Sequence, residues 1–101
     1  MDHEPRILFV DDEQLLHSLF QRLFSRHGMV VTCCSSAVQA VETLREQSFD
    51  LVVTDFMMPD MDGFALLGHI REKYPGMRVI MITAHANVQH AVRMMQPGAI
   101  D

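Results

Sequence analysis

One stretch decides the fold: Leu51-Val52-Val53-Thr54-Asp55-Phe56-Met57-Met58-Pro59-Asp60-Met61-Asp62-Gly63. Its first half is an apolar run rich in β-branched residues, which is typical of a buried strand. The run ends abruptly in the carboxylate of Asp55, and residues typical of turns follow it. The pattern therefore predicts a buried strand over residues 51–55 with an acid at its carboxyl end.

Two other apolar runs end in polar residues in the same way. They are residues 6–10, which lead into Asp11-Asp12-Glu13, and residues 79–82, which lead into Thr83-Ala84. In a parallel sheet the carboxyl ends of the strands lie at one edge. We therefore expect three acids and a hydroxyl group to converge there.

Helical patterns alternate with these strands. Helices are predicted over residues 13–27, from the capping residue Ser36 onward, over 64–74 and over 87–95, and a further strand over 29–34. Unbroken apolar strands that alternate with helices predict an α/β protein with a doubly wound parallel sheet, of flavodoxin-like strand order 2-1-3-4. In that order, ligands bind at the carboxyl ends of strands one and three.

Apolar stripes predict which helix faces pack on the sheet. The stripe of the first helix contains Leu15, Leu16, Leu19, Phe20, Leu23 and Phe24, and that of the second contains Val38, Val41 and Leu44. Gly28 is predicted to end the first helix. Gly63 is predicted to allow a close approach of the chain before the third helix.

Composition excludes several classes of function. The chain has 101 residues, enough for one domain, and a net charge of −5 with its eight basic residues scattered, which argues against nucleic-acid binding. No apolar run approaches the ~20 residues that span a bilayer, and the polar start is unlike a secretory signal. The only cysteines are the adjacent Cys33 and Cys34, predicted to be reduced and on opposite strand faces, which favours the cytoplasm.

The three converging acids indicate a metal site. Neighbouring carboxylates repel one another unless a cation lies among them. Mg²⁺ prefers hard oxygen ligands, and it binds one or two carboxylates together with a phosphate oxygen. The acids therefore favour Mg²⁺.

Taken together, these motifs resemble the receiver domain of bacterial two-component response regulators. The matching pieces are Asp11-Asp12, the strand end at Asp55, the turn from Met58-Pro59 to Asp62-Gly63, Thr83-Ala84, and the run from Gly98 to Asp101. The resemblance covers essentially all 101 residues, and the ordered set is far more specific than any one motif.

The resemblance implies roles for individual residues. Asp55 would accept a phosphoryl group from a histidine kinase or phosphotransfer protein, and the domain would then regulate an output such as transcription. Asp12 and Asp55 would bind Mg²⁺ directly, Asp11 through water, and Met57 through its backbone carbonyl. Thr83 would be the switch residue, and the small Ala84 would leave the phosphate reachable. The protein would not be an enzyme beyond its own phosphorylation and slow dephosphorylation.

One departure from the family concerns the carboxyl end. In the family, a fifth strand ending in Lys-Pro and a fifth helix follow, whereas this sequence stops at Asp101, and its one lysine, Lys73, is predicted far from the acids. We therefore expect residues 1–101 to be a receiver domain that is incomplete at its carboxyl end, a fragment of a longer chain rather than a natural remnant. Strand four would then be an open edge that favours a homodimer.

Two alternatives remain open at this point. A phosphatase of the haloacid-dehalogenase type also uses an aspartate nucleophile, but it requires Asp-x-Asp where this chain has Asp11-Asp12-Glu13. A receiver-like interaction module that does not turn over phosphate is the second alternative, because the family's lysine is absent.

Overall fold

The computed structural model describes residues 4–56 and 63–82 of the chain. In these ranges strands and helices alternate: β1 Arg6–Val10, α1 Gln14–Ser25, β2 Val30–Cys34, α2 Ala37–Glu46, β3 Leu51–Asp55, α3 Gly63–Lys73 and β4 Arg78–Ile82. The predicted helix over residues 87–95 lies outside the described residues. None of the described helices is both long enough and apolar enough to cross a membrane.

The four strands form one parallel sheet in the order β2-β1-β3-β4, as predicted. The chain moves outward from β1 to β2 and then crosses back to β3 on the other side of β1. Because the winding reverses there, the carboxyl ends of β1 and β3 border the crevice where such sheets bind ligands.

The sheet is covered on both faces. On one face, α2 and α3 pack on a large core that includes Leu8, Val52 and Val79, all fully buried. On the other face, α1 packs on Ile7, Phe9 and Val53. Right-handed crossovers in opposite directions from β1 account for this division of the helices. Cys34 belongs to the first core and Cys33 to the second, as the alternation of strand side chains predicts.

Local sequence explains two of the helix ends. Gly28 has a φ of 74°, the left-handed conformation that glycine adopts without strain just after a helix. At the start of α2, the Ser36 hydroxyl accepts a hydrogen bond from the Gln39 amide at 3.1 Å. The Gln39 side chain in turn accepts one from the Ser35 amide at 2.8 Å, and Ser36 caps the helix as predicted.

The predicted apolar stripes were partly wrong. Leu16, Phe20 and Phe24 pack against the sheet, but Leu15, Leu19 and Leu23 are 84%, 49% and 43% exposed. In α2, Val41 packs inward and Leu44 is buried, whereas Val38 is 53% exposed and Ala37 and Ala40 take the inner positions. Adjacent helix residues point about 100° apart, so a flat sheet contacts only one of two neighbouring rows.

β4 is the outermost strand on its side of the described sheet. Ile80 on this strand is 37% exposed. Residues 83–101 lie outside the described part of the chain. Self-association through β4 therefore stays a prediction.

Candidate functional site

The strand register brings two of the predicted acids together. β1 and β3 pair in parallel with Val10 opposite Thr54. The residue that follows each of these two in the sequence is an acid: Asp11 directly after β1, and Asp55 at the end of β3. Their proximity therefore follows from the pairing of two apolar strands, whose burial holds both acids in place.

Asp12 completes a cluster of three carboxylates. One carboxylate oxygen from each of Asp11, Asp12 and Asp55 can be chosen so that all three lie within 4.8 Å of one another. Asp11 is only 3% exposed, Asp55 is half-buried and Asp12 is exposed. The cluster thus runs from the protein interior to the solvent, and a small ion or a phosphoryl group can reach it.

Within the described part of the chain, Asp11 takes part in three hydrogen bonds. Its amide donates to the Cys34 carbonyl at 3.0 Å, which ties it to the end of β2. Its side chain accepts from the Glu13 amide at 2.8 Å. Its own carbonyl lies 2.6 Å from Nε2 of His17, a buried residue on α1. His17 is not among the residues that the sequence predicted for this site, although it is a histidine beside an apolar helix row, about one turn past the acids.

The chain just after Asp55 folds tightly against β4 and α3. The Phe56 amide donates to the Ile82 carbonyl at 2.9 Å, and the Phe56 carbonyl accepts from the Gly63 amide at 2.7 Å. A side-chain carbon added to Gly63 would lie 2.6 Å from the Asp55 carbonyl oxygen and 2.6 Å from Cε of Met81. Only glycine fits there, as the sequence predicted.

The donor set of the cluster fits Mg²⁺. It consists of carboxylate oxygens, the hard ligands that this ion prefers, and one of the three acids is open to water. The sulfur atoms of Cys33 and Cys34 are soft ligands that suit such an ion poorly, and burial raises the pKa of both thiols. Met57, Thr83 and Ala84 lie outside the described residues, so their roles stay predictions.

The fold and the acidic cluster together define a doubly wound α/β domain with three acids at its switch point. The family model of the response regulator receiver domain matches residues 7–101. The chain belongs to this family.

The chain is also similar to transcriptional regulators and to a solved receiver domain. The chain is 40% identical over 102 residues to the transcriptional regulatory protein ZraR of Escherichia coli, covering all of this chain and 23% of that protein. It is 37% identical over 92 residues to the DNA-binding transcriptional regulator NtrC of Proteus hauseri, covering 91% of this chain and 20% of that protein. A response regulator receiver domain protein from Clostridium thermocellum superposes with a TM-score of 0.85 at 32% identity, over 94% of this chain and 77% of the other. The chain thus spans about a fifth of the length of these curated relatives.

Proposed function

We propose that this receiver domain accepts a phosphoryl group on Asp55 and passes the signal to an output by changing conformation. The observation that carries the proposal is the convergence of Asp11, Asp12 and Asp55 at the switch point of the sheet. Asp55, at the end of β3, is half-buried, and its two neighbours in the sequence, Thr54 and Phe56, are buried. A nucleophile held in this way needs little further ordering to react.

The reaction follows from the chemistry of a carboxylate. An oxygen of Asp55 attacks phosphorus, and the bond between phosphorus and the donor's histidine nitrogen breaks. The electron pair of that bond returns to the imidazole, which takes up a proton, and Asp55 becomes an acyl phosphate. Asp12 and Asp55 would hold Mg²⁺ directly and Asp11 would hold it through water, and the bound ion would neutralise charge on the transferred oxygens.

Residues outside the described ranges complete the proposal on the strength of their sequence positions. Met57 would offer its backbone carbonyl to the metal, and Thr83 would donate its hydroxyl to a phosphoryl oxygen. Ala84 would leave that oxygen accessible. Thr83 is then the residue through which phosphorylation changes the conformation of the domain.

Mg²⁺ should stabilise the folded protein. Binding at ~100 times the dissociation constant adds about 2.7 kcal/mol to the free energy of unfolding, because the unfolded chain has no such site. Urea unfolding with and without saturating Mg²⁺ measures this gain. In Asp12→Ala the gain should largely disappear, and without Mg²⁺ this variant should be at least as stable as the wild-type protein, because one of three mutually repelling carboxylates is removed. An unfolding curve that is insensitive to Mg²⁺ would exclude the shared metal site.

Acetyl phosphate distinguishes the phosphoacceptor from an interaction module that does not turn over phosphate. In the presence of Mg²⁺, the protein should gain one phosphoryl group that is labile to hydroxylamine, as acyl phosphates are. Chelation of Mg²⁺ with EDTA should prevent the gain. Mass spectrometry of the intact protein measures both results, and an unmodified protein with Mg²⁺ bound would favour the interaction module.

The exposed leucines of α1 support a docking surface for the phosphodonor protein, a histidine kinase or phosphotransfer protein. Leu15, Leu19 and Leu23 form one row on a helix that begins two residues after Asp12. A donor histidine that reaches Asp55 must bring its own protein against the surface around the acids. An apolar row beside the site offers that protein surface to bury, and burial of apolar surface is the dominant favourable contribution in most protein associations.

The double substitution Leu15→Ser and Leu19→Ser should slow phosphotransfer from a histidine kinase that phosphorylates the wild-type protein. Two lost apolar contacts of about 1 kcal/mol each predict a decrease in kcat/KM of roughly tenfold or more. The rate with acetyl phosphate should not change, because this small donor needs no docking surface. Val38→Ser, on the opposite face of the sheet and 53% exposed, is the matched control. Equal rates for the double variant and the control would exclude this surface.

The output of the domain is proposed by similarity. ZraR and NtrC are transcriptional regulators, and we propose that this domain controls transcription through a further segment of such a protein. We place this activity in the cytoplasm, consistent with the two cysteines being unpaired thiols.

A further inference from the structure

His17 is a buried polar side chain that the proposed phosphoryl transfer does not use. It is only 8% exposed, although histidine is more often found partly exposed. Its ring meets the ring of Phe9 edge to face, with centroids 5.8 Å apart and planes at 80°. The side chain therefore lies between α1 and β1, next to the end of the strand that leads to the acids.

The hydrogen bond of His17 determines which ring nitrogen carries a proton. Nε2 lies 2.6 Å from the backbone carbonyl oxygen of Asp11, in a buried position. A carbonyl oxygen only accepts hydrogen bonds, so Nε2 must be the donor. The imidazole thus presents a fixed N–H group to the turn that contains the acids.

The carbonyl that His17 holds belongs to the peptide between Asp11 and Asp12. A peptide unit is planar, so fixing its oxygen also fixes the direction of the Asp12 amide and the position of the Asp12 Cα. Asp12 itself is exposed and lies outside helix and strand. Within residues 4–56 and 63–82, its carboxylate accepts no hydrogen bond, so its placement depends on the backbone.

We propose that His17 is a positioning residue for the metal site, acting through the peptide between Asp11 and Asp12. The other two contacts of Asp11 come from backbone amide and carbonyl groups of Glu13 and Cys34. His17 is thus the only described side chain of another residue that holds this turn. The inference rests on the proposed function, because the ion whose binding it prepares is Mg²⁺.

Substitutions at His17 that differ in reach test the role of the hydrogen bond. The amide nitrogen of His17→Gln reaches about as far along the side chain as Nε2 and can donate to the Asp11 carbonyl. The side chain of His17→Asn is too short, and His17→Leu has no donor. His17→Gln should bind Mg²⁺ nearly as well as the wild-type protein. The other two should bind about tenfold or more weakly, at the lower end of the effect of removing a group that orients a metal ligand.

The dissociation constant is measured by titrating the 101-residue protein with MgCl₂ and following the backbone amide signals of Asp11, Asp12 and Asp55 by NMR. Phe24→Leu is the matched control, because Phe24 packs on the same face from the same helix, two turns from His17. It should lower stability and leave the Mg²⁺ affinity unchanged. A purely structural role for His17 would make its variants behave like this control.

The possible outcomes distinguish a failure of the positioning role of His17 from a failure of the proposed metal site. Weaker binding in His17→Asn and His17→Leu but not in His17→Gln supports the positioning role. Equal affinity in all variants, or an equal loss in His17→Gln and His17→Asn, overturns it and leaves the proposed function intact. If the wild-type signals do not respond to Mg²⁺, both the proposed metal site and the positioning role fail.

Discussion

Replacing Asp55 with asparagine should abolish the phosphorylation of this protein by acetyl phosphate. The amide is nearly the same size as the carboxylate, so the end of β3 should keep its shape while the nucleophile is lost. The effect should be complete rather than partial, because in the proposed site Asp11 and Asp12 bind the metal and do not act as nucleophiles. Mass spectrometry of the intact protein, before and after treatment with hydroxylamine, measures the loss.

Two other acids near Asp55 in the sequence serve as controls. Asp60→Asn and Asp62→Asn should each be phosphorylated like the wild-type protein, since neither residue is at the end of a predicted strand. Circular dichroism establishes that all three variants are folded. If Asp55→Asn still gains a phosphoryl group, and peptide mapping places it on Asp60 or Asp62, the assignment of the nucleophile is wrong.

Replacing Gly63 with alanine should lower the free energy of unfolding by about 3 kcal/mol, at the upper end of the cost of overpacking. The new carbon would lie 2.6 Å from both the Asp55 carbonyl oxygen and Cε of Met81, and 3.0 Å from Cα of Phe56. Met81 can move, but the backbone at Asp55 and Phe56 is held within the sheet. The clash should therefore outweigh the ~1 kcal/mol by which alanine is normally favoured over glycine in a helix. Urea unfolding measures the change.

Gly68 is the matched control in the same helix. A side-chain carbon added there meets nothing within 4 Å, so Gly68→Ala should raise stability by up to about 1 kcal/mol. The two substitutions are chemically identical and should have opposite signs. Because the clash at Gly63 acts on the peptide of Asp55, Gly63→Ala should also weaken Mg²⁺ binding, whereas Gly68→Ala should not. A Gly63→Ala protein as stable as the wild type would mean that the contact with Asp55 is looser than described.

The amino-acid sequence by itself determined the strands and the convergence of the acids. β1 and β3 were predicted with the bounds that the structure has, because each is an apolar run that a carboxylate ends or follows. The alternation of strands and helices predicted a parallel sheet, and the flavodoxin-like order that was expected for it is the order observed. From that order alone, Asp11 and Asp55 had to be neighbours. Local patterns carry this information because they report which segments are buried along their whole length.

Only the tertiary structure decided which helix side chains face inward and which groups support the acids. Leu15 and Leu16 are equally apolar in the sequence, yet only Leu16 packs on the sheet, because the direction of α1 selects one of two adjacent rows. The contact of His17 with the Asp11 carbonyl, and the closeness of Gly63 to Asp55, likewise depend on how a helix lies against a strand. Such contacts join elements whose relative placement no local pattern encodes, since it results from packing the whole core at once.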